Sequence, residues 1–288
     1  MTRGAFALIL FAVVVVLGTA LDARARRRIG PRVGHLLVAD LHVHPYPGDG
    51  SLTIAQLQRE AGRRGVDVIG ITGHNNRFGL DLSRLLGTDP AGPIVIPGQE
   101  VTSPGFHMAA VGITRLVDWR LTAADAIAAI HSQGGAAIAA HPVRLINAGW
   151  DERARRAVDG TEVMHPLRLG RPKGGGELDG FFALARTVNA GIAPIGSSDF
   201  HMNAPLGLCR TYLLTGDHSA SGVVRAIQEG RTVAGCTDGD LVGTPENVAA
   251  VRSALASRTP SVPPSRGERL CAFLALVSLA LLVWPTRR

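Results

Sequence analysis

Val38-Ala39-Asp40-Leu41-His42-Val43-His44 closes an apolar run with two imidazoles two residues apart. Side chains alternate across a strand with period two, so His42 and His44 fall on one face and can hold one metal ion between them. Taken alone, the pair fits two surface histidines on an ordinary strand equally well. The rest of the chain decides, because runs of the same kind recur along it.

Strand-like apolar runs occupy 36–44, 66–72, 94–101, 107–113, 136–140, 160–164, 192–196 and 210–214. Helix-like stretches fall between several of them, at 54–64, 123–133, 152–158, 178–189 and 221–228. Thr53 and Thr122 stand where an N-cap is needed, and Gly65, Gly134 and Gly191 where helices stop. This alternation predicts an α/β chain with a mostly parallel sheet and crossover helices, open or closed into a barrel. At 288 residues the chain suffices for one large domain or two small ones.

Nearly every strand run ends in a histidine or an acid. His42 and His44 end the first, His74 follows the second and Glu100 lies at the end of the third. His107 begins the fourth, His141 follows 136–140, and Asp199 and His201 follow 192–196. In an α/β barrel the C-terminal strand ends form one rim, where the active site lies, so residues distant in sequence converge there. Six histidines and three carboxylates exceed the needs of one tetrahedral ion. Two or three divalent ions are implied, and imidazole with carboxylate suits zinc, manganese or iron.

Asp40-Leu-His42-Val-His44, Asp49-Gly50, Ile71-Thr-Gly-His74-Asn75, Gly98-Gln-Glu100, Ala140-His141-Pro142 and Gly196-Ser-Ser-Asp199-Phe-His201 together resemble the PHP (polymerase and histidinol phosphatase) family of metal-dependent phosphoesterases. The resemblance runs from about 38 to 227. It implies a distorted (β/α)7 barrel with a trinuclear centre. One metal would take His42, His44, Glu100 and Asp199, a second Glu100 as a bridge with His107 and His141, and a third Asp49, His74 and His201. Asp40 would stand behind the histidine pair. Gly73 departs from the family, which commonly has Asp there, so support for the third site is reduced. Asp49 stands where some members have histidine.

Two ions sharing a water lower its pKa, so hydroxide is available near neutral pH, and the same ions stabilise charge on a phosphoryl group. The residues assigned to catalysis are Asp199, for shuttling a proton, and His201. Serine and cysteine nucleophiles find no support, since Ser197 and Ser198 lack elbow glycines and Cys209 has no evident base. Arg77, Arg144 and His165 are the candidates for substrate contact, and Gly174 to Gly176 reads as a mobile loop over the site. The leading function is hydrolysis of a phosphate ester on a small phosphorylated molecule or nucleotide. The alternatives are hydrolysis of a carbamate, amide or ester by the same cluster, and a non-catalytic metal-binding module.

The net charge of +7 sits at the chain ends. Nine arginines at 24, 26, 27, 28, 32, 266, 269, 287 and 288, set against Asp22 and Glu268, account for it, leaving 21 basic and 21 acidic residues elsewhere. That balance argues against a nucleic-acid partner. Residues 4–21 are uncharged and apolar and precede a cluster of arginines, which reads as a transmembrane anchor, with a cleaved signal peptide as competitor. Residues 270–284 read as a second, short transmembrane helix or a re-entrant segment. The expected organisation is an anchor at 1–22, a basic linker at 23–36, a metallohydrolase domain at 37–235, a linker at 236–269 and the second helix at 270–284. A lipid bilayer is then a partner, and the excess of arginine after the first segment places the catalytic domain on the cytoplasmic side. The three cysteines have no metal-ligand spacing and read as apolar fillers, without a disulfide framework.

Overall fold

The 36–44 run forms β1 (Leu36–Val43), buried along its whole length. It pairs in parallel with β2 (Val68–Ile71), which pairs in parallel with β3 (Ile94–Ser103). The chain then reverses: β4 (Phe106–Val111) is antiparallel to β3, and β5 (Ala136–Ala139) is antiparallel to β4. Parallel pairing resumes with β6 (Gly160–Met164) and β7 (Ala193–Gly196). On the far side of β1, β8 (Cys209–Leu214), β9 (Thr232–Cys236) and β10 (Leu241–Val242) add as antiparallel strands. The sheet order is β10-β9-β8-β1-β2-β3-β4-β5-β6-β7. This computed structural model describes residues 3–23, 35–143, 147–170, 172–202, 204–237, 239–256 and 266–283.

The sheet curls until β7 meets β8 and β9. Thr211 Oγ1 donates to the Gly196 carbonyl at 2.8 Å and accepts from the Gly196 N–H at 3.0 Å, while Thr232 Oγ1 donates to the Pro194 carbonyl at 2.9 Å. Glycine is required at 196, because a Cβ there would collide with the Arg210 carbonyl. Leu41, Ile96, Ala109, Ile138 and Ile195 come from strands that are not all neighbours, yet pack in one buried cluster, which marks the interior of a barrel-like sheet. The sheet is mixed, because β4 and β8 to β10 run against the parallel strands. The sequence reading, a mostly parallel seven-stranded barrel, is corrected in these respects.

Helices α2 (Ile54–Arg63), α3 (Phe78–Leu86), α4 (Ala123–His131), α5 (Glu152–Ala157), α6 (Pro166–Gly170), α7 (Pro172–Arg186), α8 (Ala220–Gln228) and α9 (Pro245–Ala256) accompany the sheet. Thr53 opens α2 with a reciprocal capping box to Gln56, which satisfies two backbone or side-chain donors at the helix start. Leu57 and Ala61 of α2 then pack on Ile69 and Ile71 of β2. Gly174 to Gly176 lie within α7, not in a loop.

Cys209 and Cys236 form a disulfide, which corrects their reading as unpaired fillers. They are register partners on β8 and β9. The sequence reading missed β9, so nothing in it brought the two cysteines together. Cys271 is a free thiol.

The chain divides into two compact units, one of Met1–Arg28 with Ser261–Arg288 and the other of Ile29–Pro260. In the first, α1 (Arg3–Ala23) and α10 (Arg266–Val283) pack together, with Gly18 passing close to Cys271. Among the described residues, no helix is long and apolar enough to cross a membrane. α10 carries Arg266, Glu268 and Arg269 in its first turn, and residues 270–283 beyond them span about 21 Å. The expected transmembrane helices and the membrane localisation with the catalytic domain on the cytoplasmic side are therefore corrected, and the bilayer as a partner finds no support among the described residues. Trp284 and most of the basic linker lie outside the described residues.

Candidate metal centre

β1 does not keep strict alternation to its end. Its register on β2 shifts between Asp40 and Val43. Leu41 packs with Leu37 and Ala39 inside the barrel, whereas Val43 packs with Val38 in the cluster under α2. The irregularity turns His42 and His44 to the centre and leaves Asp40 elsewhere. The Asp40 carboxylate accepts from the Ser198 N–H at 3.0 Å, the Ser198 Oγ–H at 2.5 Å and the Gly207 N–H at 2.7 Å. Burial raises its pKa against these bonds. Asp40 thus holds the segment that carries Asp199 and makes no hydrogen bond to the histidine pair.

The remaining groups reach the same end of the barrel by different routes. His74 follows β2, Glu100 lies on β3 and His141 follows β5. His107 opens β4, and because β4 is antiparallel its first residues lie at the rim where the parallel strands end. Asp199 and His201 follow β7. The loop holding Asp49 is clamped to His201, whose carbonyl accepts from the Ser51 N–H at 3.0 Å and the Ser51 Oγ–H at 2.8 Å.

Glu100, fully buried, is the hub. Its Oε1 lies 2.9 Å from His107 Nδ1 and 3.2 Å from His141 Nε2. Its Oε2 lies 2.7 Å from His74 Nδ1, 3.4 Å from His44 Nε2 and 3.5 Å from His42 Nε2. Asp199 Oδ1 stands 3.3 and 3.2 Å from the Nε2 atoms of His42 and His44, which are 3.0 Å from each other. Asp49 Oδ2 lies 3.2 Å from His74 Nε2 and 3.1 Å from His201 Nε2. The nine residues expected as ligands therefore lie together. Three groupings of them can each converge on one ion: His44, Asp49, His74 and His201; His42, Glu100 and His141; and His42, His44 and Asp199.

The donor set fits metal ions. His42 Nδ1–H donates to Glu162 Oε1 at 2.9 Å, and His44 Nδ1–H to Asp49 Oδ1 at 3.1 Å. In the neutral rings the Nε2 lone pairs then face each other. Buried Glu100 Oε2 and Asp199 Oδ1 accept no hydrogen bond, the nearby imidazoles being off line. Four acceptors pointing at one spot suit a bound metal ion. Neighbouring donors about 2.0–2.1 Å from an ion are about 3.0–3.4 Å apart, the spacing found here.

Three non-glycine residues among those described have positive φ: Asn75 at 46°, His141 at 28° and Asp199 at 48°. All flank the centre. Each such conformation costs on the order of 1–3 kcal/mol and persists where surrounding bonds hold it. Glu162 Oε2 accepts from the His141 N–H at 2.6 Å, and Asn75 Oδ1 accepts from the Thr102 N–H at 3.1 Å.

Glu162 is the residue that sequence reasoning missed. Fully buried on β6, it accepts from His42, from the Ser197 Oγ–H and from the His141 backbone. A signal was present, since a carboxylate inside the apolar run 160–164 needs a buried partner. Of the proposed substrate contacts, His165 faces the centre, with Nε2 3.5 Å from Asp199 Oδ2. Arg77 is engaged elsewhere, donating to the Thr114 carbonyl. Arg144 lies outside the described residues.

The charges are strongly coupled. Burial opposes ionisation throughout, yet Asp199, Glu100 and Glu162 raise the pKa of His42 well above the usual imidazole value. His42 in turn holds Glu100 and Asp199 well below the usual carboxylate range and Glu162 at about 2, each against its burial. The raised His42 pKa stabilises the metal-free fold fully below about pH 6.5, and that contribution is lost as pH rises through the folded value. The depressed Glu162 pKa contributes above 4.5 and is lost as pH falls toward about 2. A metal must displace the His42 proton, so its apparent affinity rises with pH. Zinc titration of metal-free protein at pH 7, in buffers of different ionisation heat, is expected to release at least one proton per chain. Release of none would contradict this electrostatic picture.

No family model matches the chain. A phosphoribosyl 1,2-cyclic phosphate 1,2-diphosphodiesterase of Eggerthella lenta is 38% identical over 71 residues, which cover 25% of this chain and 27% of that protein. The chain thus spans about a quarter of that relative. A two-domain Bacteroides vulgatus protein containing a predicted PHP-like metal-dependent phosphoesterase superposes with a TM-score of 0.60 at 19% identity, over 80% of this chain and 74% of that one. The fold is shared with PHP-like metal-dependent phosphoesterases. PsfC from Pseudomonas syringae gives a TM-score of 0.52 at 18% identity, over 77% of this chain and 97% of its own. At these identities the likeness concerns the fold alone, and residue roles rest on the geometry above.

Proposed function

We propose that this chain is a metal-dependent phosphoesterase that hydrolyses a small phosphorylated molecule or nucleotide, with two or three divalent ions held on the barrel rim. The observation that carries the reading is Glu100, whose two buried oxygens lie between His107 and His141 on one side and His42, His44 and His74 on the other. One carboxylate so placed serves two neighbouring ions. Zinc, manganese or iron there would supply a water acidified enough to react near neutral pH, and positive charge to hold phosphoryl oxygens. Asp49, His74 and His201 form the outermost ligand group, the most exposed part of the set.

Asp199 has a second role. Its Oδ1 faces His42 and His44, while its Oδ2 is turned toward His141 and His165. Oδ2 is the oxygen placed to take up a proton during the reaction. The Eggerthella lenta relative is named for a cyclic phosphodiester of a phosphorylated sugar, and substrates of that class suit a centre that binds phosphoryl oxygens through several ions.

Full-length protein loaded with manganese or zinc is expected to hydrolyse aryl phosphate mono- or diesters and to leave aryl carbamates intact. Turnover of carbamates alone would replace this function with carbamate or amide hydrolysis. Inactivity on both would leave a metal-binding module without catalysis.

A further inference from the structure

His165 presents a buried hydrogen-bond donor that makes no well-formed hydrogen bond within the protein. Its side chain is 4% exposed, and Nε2 is buried without a hydrogen-bond partner. The nearest carboxylate oxygens, Asp199 Oδ2 at 3.5 Å and Glu162 Oε2 at 3.9 Å, are too distant or misaligned to serve.

The state of the ring follows from its place in the chain. His165 immediately precedes α6, and its Nδ1 accepts the Leu167 N–H at 3.2 Å, as an N-cap side chain does. A ring that accepts at Nδ1 carries its proton on Nε2. The cap therefore fixes both the tautomer and the direction of the Nε2–H. Helix α6 begins with Pro166, whose φ is set for the first helical turn, so the cap is anchored to rigid backbone.

That N–H lies on the Asp199 Oδ2 side of the centre. The His165 ring packs edge-on against His141 with centroids 5.2 Å apart, next to the Asp199 oxygen that faces away from His42 and His44. Leaving a buried donor unpaired is unfavourable, and the loss is recovered when a ligand supplies the acceptor.

We infer that His165 is a substrate-contacting residue whose neutral Nε2–H donates to a non-bridging oxygen of the substrate's phosphoryl group, on the His141 side of the centre. This rests on the phosphoesterase reading above and adds a specific contact to it. Arg77 and Arg168 are engaged elsewhere, Arg77 with the Thr114 carbonyl and Arg168 with Asp179 at 2.6 Å. The imidazole thus supplies, without net charge, an oxygen contact that guanidinium groups often provide.

Two substitutions separate this contact from a structural role. H165N keeps a side-chain acceptor for the Leu167 N–H but is too short to place a donor at the Nε2 position. H165Q extends an amide N–H toward that position. The probe is inorganic phosphate, titrated calorimetrically into metal-loaded full-length protein, with metal content and thermal unfolding measured alongside. H165N is expected to weaken phosphate binding and lower kcat/KM on an aryl phosphate by about tenfold or more, with metal content and unfolding midpoint unchanged. H165Q is expected to recover at least a third of the wild-type phosphate affinity. Equal phosphate affinity in wild type and H165N would overturn the inference while leaving the phosphoesterase reading intact. Loss of metal in proportion to the loss of binding would overturn it too, making His165 a support of the ligands. A wild-type protein that neither binds phosphate nor hydrolyses aryl phosphates would overturn the underlying reading and this inference with it.

Discussion

Glu100→Gln is expected to lower kcat/KM by at least about 10³-fold, equivalent to roughly 4 kcal/mol of transition-state stabilisation. The amide keeps the shape of the carboxylate but not its charge, and it turns an NH2 group toward one side of the hub. Whichever side receives it, His107 and His141 or His42 and His44 lose the carboxylate oxygen that they share. At least one metal equivalent is expected to leave with it. The fold should survive, because the barrel interior beneath is an apolar cluster that does not involve Glu100. Steady-state kinetics, elemental analysis and circular dichroism on the one variant check the three parts.

Glu162 is predicted to act at one remove. Glu162→Gln retains an oxygen for the His42 Nδ1–H and the Ser197 Oγ–H but loses the charge and the acceptor of the His141 backbone N–H. Substitutions of groups that orient metal ligands typically cost 10- to 100-fold in affinity or activity, and about that loss is expected here. Glu162→Ala goes further. In metal-free protein it leaves a charged His42 without its buried partner and the His141 N–H without an acceptor, at a cost of about 3–5 kcal/mol. Chemical denaturation of metal-free wild type and both variants measures this. An alanine variant as stable as wild type would show that Glu162 does not hold the centre together.

Much of the rim was legible because its residues mark strand ends. Imidazoles and acids that close apolar runs announce both the boundary of each strand and the place where the strands converge. His107 was visible for the same reason, although only the antiparallel course of β4 explains why a residue at the start of a strand joins residues at the ends of others. Features that depend on departures from ideal strands were not legible. The resemblance placed Asp40 behind His42 and His44, whereas in the fold its carboxylate goes to Ser198 and Gly207 beside the register shift in β1. The disulfide depends on the register of β8 with β9, and the triglycine run joins a helix whose side-chain pattern starts only later. The terminal apolar runs misled in a different way: they form helices, yet among the described residues no helix is long and apolar enough to cross a membrane.

The rim as a multinuclear metal centre is the central claim, and the metal content of the full chain tests it most directly. After expression in medium supplemented with zinc and manganese and dialysis against metal-free buffer, elemental analysis should find two or three divalent equivalents per chain. Less than one equivalent would contradict the account, because the facing lone pairs of His42 and His44 and the buried oxygens of Glu100 and Asp199 would then be satisfied by protons alone.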